Sequence, residues 1–321
     1  MKNLMLITFS CVLILVLPRS TSSQTLHWLK TLPVYDHVVI IIDENKDYEE
    51  IIGNKVDPYI DTLVSGGANF TRMFAEEHKS EGNYFWLFSG NNQQVGFNDE
   101  TPAHDIDAPN LGQELIQKGL SFKGYSEDLP SIGSKAVRVY PYARKHVPWV
   151  SFSNLPDGSN PDSSTNLQFK QFPSDFNALP TVSIVIPNLI NDMHDRPFPE
   201  NVMNGDKWLK AYIDGYYQWA KSHNSLLIFT FDENEDPINY AGLTDPASTD
   251  KVIQNRIPTF FAGAHIKPGD NPEGKGITHV SILRTLEAMY GLSTCGNQPE
   301  AAAKYGITSD DIITDVFEPV R

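Results

Sequence analysis

The sequence is poor in cysteine, with only Cys11 and Cys295 in 321 residues. Cys11 lies in an N-terminal segment that we expect to be removed, which would leave one cysteine and no internal disulfide. A chain of this length can bury a core large enough to be stable without disulfides. The scarcity of cysteine therefore excludes a disulfide-stabilised scaffold and predicts stability from a large hydrophobic core.

Basic residues are also scarce, with 25 Lys and Arg against 40 Asp and Glu and a net charge of −15. This balance argues against nucleic-acid binding and against attachment to an anionic membrane by charge alone. The composition, 40% hydrophobic and 20% charged, is typical of a globular protein. If the substrate is anionic, local features of the binding site must overcome its repulsion by the net negative charge of the protein.

Nothing in the sequence indicates a protein partner.

The chain has one long apolar run, Leu4–Leu17, which follows Lys2 and precedes the small residues Thr21, Ser22 and Ser23. This pattern predicts a secretory signal peptide over residues 1–23, because the run is short for a membrane span and ends at a helix-breaking proline. We therefore expect residues 24–321 to form a single domain that is secreted, or held in the lumen of the secretory pathway, without stable membrane insertion.

Strand-like and helix-like segments alternate along the remaining sequence. Four apolar runs rich in Val, Ile and Phe predict buried strands: Val38–Ile42, Ser183–Ile186, Leu226–Phe231 and Ile257–Ala262. Helical patterns lie over Pro58–Ser65, Leu111–Lys118, Asp206–Lys221 and Val280–Tyr290. The alternation predicts an α/β fold with a mostly parallel central sheet flanked by helices on both faces. Ligands of such sheets gather at the carboxyl ends of the strands.

Acidic clusters follow two of the predicted strands. Asp43, Glu44 and Asn45 come directly after the first run, and Asp232 and Glu233 after the third. Acids at a strand end can cap the next helix or stay in solvent. Two clusters of the same form at one sheet edge instead favour a divalent metal site, because carboxylate and amide oxygens suit such ions.

A serine and several histidines stand near the predicted strand ends. His78 and Ser80 precede a helical run, Asn83–Phe88, and a serine there is either an N-cap or a nucleophile supported by backbone N–H groups. His146 follows Arg144 and Lys145, His194 follows the second strand, and His279 opens the last long helix. Each histidine alone could be structural, but together they suggest proton transfer or oxyanion binding.

With these residues in place, the chain resembles the phosphoesterase family of secreted acid phosphatases and phosphatidylcholine-type phospholipases C, within the alkaline-phosphatase-like superfamily. Seven short motifs occur in the same order and cover about residues 36–295. They are VVIIIDENKDYEEIIG, GANFTRMFAEEHKSEGNYFWLFSG, APNLGQELIQKGLSFKGYSEDLP, YARKHVPWVSF, VIPNLINDMHD, FTFDENED and ITHVSILRTLE. The resemblance implies an alkaline-phosphatase-like fold.

The resemblance also implies a role for individual residues. It implies one divalent metal ion, of unknown identity, on Glu44, Asn45, Asp232 and Glu233. It places the nucleophile on Ser80, with His146 and His194 contacting phosphate or moving a proton. Asn83, His78 and His279 are further substrate-binding candidates. One motif departs from the family, because HKSEGNY stands where many relatives have H-P-S-L-P-N-Y. This departure affects expected substrate preference.

The expected function is a metal-dependent acid phosphatase that hydrolyses small phosphate monoesters through a phosphoserine intermediate. A phosphodiesterase or phospholipase C on the same scaffold is the main alternative, and a binding protein that has lost its chemistry is another. An arylsulfatase is disfavoured because neither cysteine lies in a C-x-P-x-R context. Asn69 begins the sequence Asn-Phe-Thr, which can be glycosylated in a eukaryotic secretory pathway only where it is exposed.

Overall fold

The computed structural model describes residues 32–95, 105–271 and 276–318. The predicted signal peptide, residues 1–23, and Cys11 lie outside the described residues. Within those ranges no helix is both long enough and apolar enough to span a bilayer.

Strands and helices alternate along most of the chain. The strands are β1 (His37–Asp43), β2 (Ala68–Phe70), β3 (Met73–Phe74), β4 (Glu77–His78), β5 (Phe122–Ser126), β6 (Arg138–Val139), β7 (Tyr142–Ala143), β8 (Asn166–Gln168), β9 (Val182–Ile186), β10 (Ser225–Phe231), β11 (Gly242–Leu243), β12 (Thr259–Gly263), β13 (Gly269–Asn271) and β14 (Ile277–Thr278). The helices are α1 (Tyr48–Ile51), α2 (Pro58–Ser65), α3 (Ser80–Ser89), α4 (Leu111–Gln117), α5 (Glu200–Tyr212), α6 (Asp214–Ala220), α7 (Lys251–Gln254), α8 (His279–Tyr290) and α9 (Glu300–Ala303). Short 3-10 turns lie at Arg144–His146, Pro148–Ser151, Phe169–Gln171 and Phe176–Ala178.

An eight-stranded sheet in the order β13-β2-β12-β10-β1-β9-β5-β8 forms the centre of the molecule. Strands β10, β1, β9, β5 and β8 are mutually parallel. Strand β12 pairs antiparallel with both of its neighbours, β10 and β2, so it alone runs against the others. The carboxyl ends of β10, β1, β9 and β5 therefore meet at one edge.

The central strands are buried on both faces, which is why their sequences lack alternation. Every residue of β10 is buried, and in β1 only His37 is partly exposed. Each fully buried Val or Ile contributes about 1.5–3 kcal/mol relative to an exposed one. Two groups of helices cover the sheet, with α2, α5 and α6 packed together on one side and α3, α4 and α8 on the other.

These observations confirm the predicted α/β class, the mostly parallel sheet and the flanking helices. Three details differ from the sequence prediction. The fourth predicted strand, Ile257–Ala262, is the antiparallel β12. Strands β5 and β8 were not predicted, because Phe122–Ser126 is short and contains Lys123 and Gly124. The single helix predicted over Asp206–Lys221 is two helices, α5 and α6, and the chain between them bends at Ile213.

Asn69 lies inside β2, where its side chain is too buried to be glycosylated. Its side chain is 2% exposed, and Nδ2 donates hydrogen bonds to the Tyr48 hydroxyl at 2.7 Å and to Asp270 Oδ1 at 2.8 Å. A glycan on this nitrogen would replace both hydrogen bonds and displace buried packing.

Candidate functional site

The two acidic clusters meet because β1 and β10 are paired in register. Asp43 is opposite Phe231, so the residues that follow each strand lie side by side. The backbone N–H of Asp232 donates to the carbonyl of Asp43 at 3.1 Å, and the N–H of Asn45 donates to Asp232 Oδ1 at 3.1 Å. The sheet register therefore brings Glu44, Asn45 and Asp232 to one point at the strand ends.

Ser80 joins this cluster from the first turn of α3. Its hydroxyl donates to Glu233 Oε1 at 2.9 Å and lies 3.3 Å from Glu44 Oε2. The side chain is only 1% exposed. Ser80 is the first residue of the helix and Lys79 occupies the N-cap position, so the N-cap alternative for Ser80 does not describe its place. The hydroxyl is instead held between two carboxylates.

Asn45 adopts a left-handed backbone conformation, with a φ of 47°, which Asn tolerates better than most residues. This conformation turns its amide toward the acids. One amide atom lies 3.0 Å from Glu44 Oε2 and 3.0 Å from Asp232 Oδ1. With nitrogen in that place the amide donates to both carboxylates. With the amide rotated, its oxygen lies beside Glu44 Oε2 and Asp232 Oδ1. Three oxygen atoms then face one another, which is the arrangement that a bound cation requires.

Negative charge is concentrated and buried around this point. Five carboxylates are less than 3% exposed: Asp43, Glu44, Asp192, Asp232 and Glu233. Burial, followed by the charges of Glu44 and Glu233, raises the pKa of Asp232 well above its usual range. Burial, followed by the charge of Asp192, likewise raises the pKa of Asp43. Neither side-chain oxygen of Asp43 accepts a hydrogen bond from a described residue.

These donors fit a small divalent cation. Adjacent oxygen ligands of an octahedral ion bound at about 2.1 Å are about 3.0 Å apart, and the Asn45 contacts to Glu44 and Asp232 have that separation. Among the described residues, no group of three or more His, Cys, Asp and Glu side chains is arranged to hold a metal ion alone. A metal ion here would therefore need the amide of Asn45 beside the carboxylates, and the Ser80 hydroxyl could add to the set.

His146 packs against Glu44 at the base of the cluster. Its Nε2 lies 2.9 Å from Glu44 Oε1 and its Nδ1 lies 3.5 Å from Asp192 Oδ2. Burial alone would lower the pKa of His146, but the charge of Glu44 and the contacts with both carboxylates raise it to about 9. In turn, the charge of His146 overcomes the effect of burial and lowers the pKa of Glu44. Tyr84 stacks on the ring with centroids 5.1 Å apart and donates to Glu44 Oε1 at 2.6 Å.

His78 supports Glu233 from the opposite side. Its Nε2 donates to the carbonyl of Val252 at 3.0 Å, and its Nδ1 contacts Glu233 Oε2. Burial would lower the pKa of His78, but the hydrogen bond and charge of Glu233 raise it. Both nitrogens face oxygen acceptors, so the ring adds positive charge beside the carboxylate that holds Ser80.

His279, the first residue of α8, is buried behind the cluster. Its Nδ1 lies 2.6 Å from Glu76 Oε2 and its Nε2 lies 2.8 Å from the carbonyl of Phe231. Phe231 immediately precedes Asp232, and Glu76 Oε1 also accepts the N–H of Val280 at 2.9 Å. These contacts fix the end of β10 and leave neither ring nitrogen directed at the Ser80 hydroxyl.

Asn83 and His194 lie at different depths from the cluster. Asn83 is 1% exposed; its Oδ1 accepts the N–H groups of Glu76 and Glu77, each at 3.1 Å, and its Nδ2 donates to the carbonyl of Glu77 at 2.6 Å. It thus ties the chain before α3 to the helix. His194 is 35% exposed and pairs with Asp195 at 2.8 Å, at the rim rather than in the buried cluster.

Comparison with known proteins agrees with this geometry. The model of the Phosphoesterase family matches residues 55–293. A phosphatidylinositol-3-phosphatase from Mycobacterium tuberculosis is 43% identical over 268 residues, which cover 83% of this chain and 80% of that protein. The chain belongs to the phosphoesterase family. A probable acid phosphatase from Kluyveromyces lactis is 28% identical over 80% of this chain and 58% of that protein.

Solved structures confirm the alkaline-phosphatase-like fold of this phosphoesterase. An alkaline phosphatase superfamily protein from Vibrio parahaemolyticus has a TM-score of 0.53 at 12% identity, covering 85% of this chain and 76% of that one. A lipoteichoic acid synthase from Listeria monocytogenes has a TM-score of 0.52 at 14% identity, covering 90% and 82%. At these identities the similarity concerns the fold.

The residues of the HKSEGNY segment that depart from the family pattern have partners in the structure. Gly82 lets the Glu77 side chain lie against α3, because any Cβ at this position would collide with Glu77 Oε1. Glu77 Oε2 accepts hydrogen bonds from Trp86 at 2.9 Å and from Asn92 at 2.8 Å. Lys79 reaches Asp236 at 3.3 Å and also bonds Asn239. The unusual residues are therefore accommodated by partners elsewhere in the chain.

Several residues that contact the candidate site were not among the predicted site residues. Asp192 contacts His146, and its carbonyl accepts the N–H of Glu44 at 2.7 Å. Asp192 follows the second predicted strand, and this position could have identified it as a site residue. Tyr84 lies one helical turn after Ser80, so the spacing from a predicted nucleophile could have located it. Glu76 carried no signal, because its role depends on His279, 203 residues away.

An open cavity of about 860 Å³ lies at the same edge of the sheet, beyond the end of β5. Phe169, Phe172 and Tyr212 line it, and Glu127 forms part of its wall. Glu127 also accepts hydrogen bonds from the N–H of Asn188 at 3.0 Å and from Asn191 Nδ2 at 2.9 Å, in the loop that leads to Asp192. The cavity is thus a neighbour of the candidate site, whose side chains are themselves closely packed.

Proposed function

We propose that this chain is a secreted, metal-dependent phosphatase that hydrolyses phosphate monoesters through a phosphoserine intermediate. The observation that carries the proposal is the position of the Ser80 hydroxyl, 2.9 Å from Glu233 Oε1 and 3.3 Å from Glu44 Oε2. A buried hydroxyl between two carboxylates, at a helix N-terminus, combines a nucleophile with proton acceptors and with N–H groups that favour an oxyanion. Secretion is proposed from the N-terminal segment, residues 1–23.

The metal-binding set would be Glu44, Asn45, Asp232 and Glu233. A divalent ion there supplies charge neutralisation for a phosphate oxygen and lowers the pKa of a coordinated hydroxyl. An all-oxygen set permits magnesium, calcium, manganese or zinc. The surplus of buried carboxylates over His146 and His78 supports this proposal, because uncompensated buried acids are costly without a cation.

In the first half of the reaction, Ser80 Oγ attacks phosphorus and the bond from phosphorus to the leaving oxygen breaks. The Ser80 proton passes to Glu233, whose Oε1 accepts the hydroxyl hydrogen bond. The leaving alkoxide takes a proton from His194, which is partly exposed and whose backbone N–H donates to Asp192 Oδ1 at 2.9 Å. In the second half, water attacks phosphorus and gives a proton to His194, the bond to Ser80 Oγ breaks, and Ser80 Oγ recovers its proton from Glu233.

His146 and His78 act in this scheme as fixed positive charges. His146, with a pKa of about 9, stays cationic at neutral pH and positions Glu44. His78 positions Glu233 through a contact to the oxygen that does not face Ser80. Both lower the cost of holding several carboxylates beside an anionic substrate.

The substrate class is proposed from the relatives. One is named for phosphatidylinositol 3-phosphate and another is named an acid phosphatase, and both names describe removal of a monoester phosphate. We therefore propose a phosphate monoester carried on a small alcohol, with a phosphorylated inositol headgroup among the candidates. A phosphodiesterase or phospholipase C on the same scaffold is the alternative.

A substrate panel tests the proposal. The protein is assayed with p-nitrophenyl phosphate, bis-p-nitrophenyl phosphate and phosphatidylcholine, across pH, before and after chelation and after return of single metal ions. We expect monoester turnover that is lost on chelation and restored by one metal, with the best rate at mildly acidic pH. Faster cleavage of the diester or the lipid would establish the alternative, and chelator-resistant turnover would overturn metal dependence.

A further inference from the structure

Lys46 carries a buried positive charge beside the candidate cation position. Its side chain is 3% exposed, and it directly follows Asn45 in the chain. A buried ammonium group is costly unless it is paired or hydrogen-bonded. A positive charge also repels a second cation, so the charge of Lys46 by itself opposes the binding of a divalent ion. The contacts of Lys46, rather than its charge alone, therefore determine what it contributes to this site.

The short contact of Lys46 is to the backbone. Its Nζ donates to the carbonyl of Asn45 at 2.6 Å, whereas Glu235 Oε1 is 3.5 Å away on a side chain that is 46% exposed. An ion pair of that length with an exposed partner contributes little to stability. A hydrogen bond from an ammonium group is about twice as strong as a neutral one. The ammonium group therefore acts mainly on the carbonyl of Asn45.

Asn45 is held on both sides of its Cα atom. Its N–H donates to Asp232 Oδ1 at 3.1 Å, and its carbonyl accepts the hydrogen bond from Lys46. Because each peptide unit is planar, the first contact orients the plane before the Cα atom and the second orients the plane after it. Together they support the left-handed backbone of Asn45, with its φ of 47°, which costs energy in a residue other than glycine.

Both neighbours of Lys46 are also attached to the segment that follows β10. Asn45 is attached through Asp232, and Asp47 Oδ1 accepts a hydrogen bond of 2.8 Å from Asn234 Nδ2. These two contacts do not involve the Lys46 side chain. A substitution of Lys46 should therefore release the carbonyl of Asn45 without detaching the whole segment from the sheet edge.

We propose that Lys46 is a positioning residue that holds Asn45 in the conformation required to bind the divalent ion. Lys46 acts through the Asn45 peptide and does not itself touch the ion or the substrate. The inference rests on the metal site of the proposed function. The direction of the effect makes it testable, because removal of a nearby positive charge strengthens cation binding, whereas loss of a correctly placed ligand weakens it.

The test is binding of Mn²⁺ to the full protein after chelation, measured by equilibrium dialysis. Lys46→Met removes the charge and the donor at similar length, and Lys46→Arg keeps both. The matched control is Lys251→Met, which removes a 68% exposed cation that lies 3.9 Å from Asp47 Oδ2 and 3.7 Å from Glu49 Oε2. Circular dichroism and thermal unfolding in chelator establish that each variant is folded. Lys46→Gln replaces the methionine variant if that variant does not fold.

We expect the dissociation constant of Mn²⁺ to rise about tenfold or more in Lys46→Met, as is typical when a residue that orients a metal ligand is lost. It should rise less in Lys46→Arg, and it should stay the same or fall in Lys251→Met. Binding by Lys46→Met that equals or exceeds that of the wild type would overturn the proposal and leave the metal site in place, even if the variant were less stable in chelator. Absence of Mn²⁺ binding to the wild type would overturn the proposed metal site, and this inference with it.

Discussion

Ser80 donates a hydrogen bond of 2.9 Å to Glu233, a residue 153 positions later in the chain. The bond joins the first turn of α3 to the end of β10, on opposite sides of the candidate cation position. It fixes the direction of the hydroxyl before any substrate binds. A nucleophile oriented in this way loses little entropy when it reacts.

The first prediction concerns Ser80. Ser80→Ala removes the attacking oxygen, so we expect monoester turnover to fall at least about a thousandfold. The fold should be kept, because the lost hydroxyl is small and its two carboxylate partners can bind a cation without it. Steady-state kinetics and thermal unfolding measure the two effects separately.

Ser89→Ala provides the matched control for this change. Ser89 is buried in the same helix, and its hydroxyl donates to the carbonyls of Phe85 at 3.0 Å and Asn91 at 2.9 Å. We expect it to lose about 1 kcal/mol of stability while keeping near-normal turnover. If Ser80→Ala retained activity comparable to Ser89→Ala, Ser80 would not be the nucleophile.

The sequence predicted most of the sheet because its central strands are continuous apolar runs. It also predicted the convergence of Glu44 and Asp232, since acids after two parallel strands must meet at one edge. It could not show the role of His279, whose two partners, Glu76 and the Phe231 carbonyl, are distant in sequence. Nor could it show that Asn83 bonds the backbone, because an amide can serve substrate or structure equally well.

The net charge illustrates a second limit of sequence reasoning. A total of −15 argued against charge-driven attachment to an anionic membrane, and that argument treats charge as evenly spread. The structure shows that the charge is not evenly spread, because five of the acids are buried together at the candidate cation site. The net charge of the chain therefore does not give the charge of its surface, which depends on the fold.

The second prediction concerns metal binding. Asp232→Asn removes a ligand charge from the candidate set, so the variant should lose the stabilisation that a divalent ion gives to the wild type. At a metal concentration about a hundred times the dissociation constant, this stabilisation is about 2.7 kcal/mol. Thermal unfolding with and without added ions, together with metal analysis of the purified protein, measures the effect. Stabilisation that is equal in wild type and variant would place the ion elsewhere.

The third prediction concerns His279. His279→Ala leaves Glu76 Oε2 and the carbonyl of Phe231 without their buried partner, so we expect a loss of about 2–3 kcal/mol in the free energy of unfolding. His279→Asn should recover part of it. The inhibition constant of inorganic phosphate should change little in either variant while the protein is folded. A large rise of that constant at unchanged stability would instead support the substrate-binding role implied by the family resemblance.

The fourth prediction concerns Asp57, away from the site at the start of α2. Its side chain is inaccessible to solvent, and neither carboxylate oxygen accepts a hydrogen bond from a described side chain or backbone group. Burial, and then the charge of Asp61, raises the pKa of Asp57 to about 7. The folded protein therefore holds this proton more tightly than the unfolded chain does. The contribution of Asp57 to stability is complete below about pH 4 and is lost as the pH rises to about 7.

Asp57→Asn keeps the shape and removes this titration, so the variant should gain about 1–2 kcal/mol over the wild type at pH 8, after allowance for solvent screening, and little at pH 4. Urea unfolding at both pH values measures the difference. Asp206→Ala is the control of opposite sign, because Asp206 Oδ1 accepts the N–H groups of Tyr59 at 2.8 Å and Ile60 at 2.9 Å. That variant should be less stable at pH 8. A loss of stability in Asp57→Asn at pH 8 would show that the ionised carboxylate serves α2 as a favourable N-terminal charge.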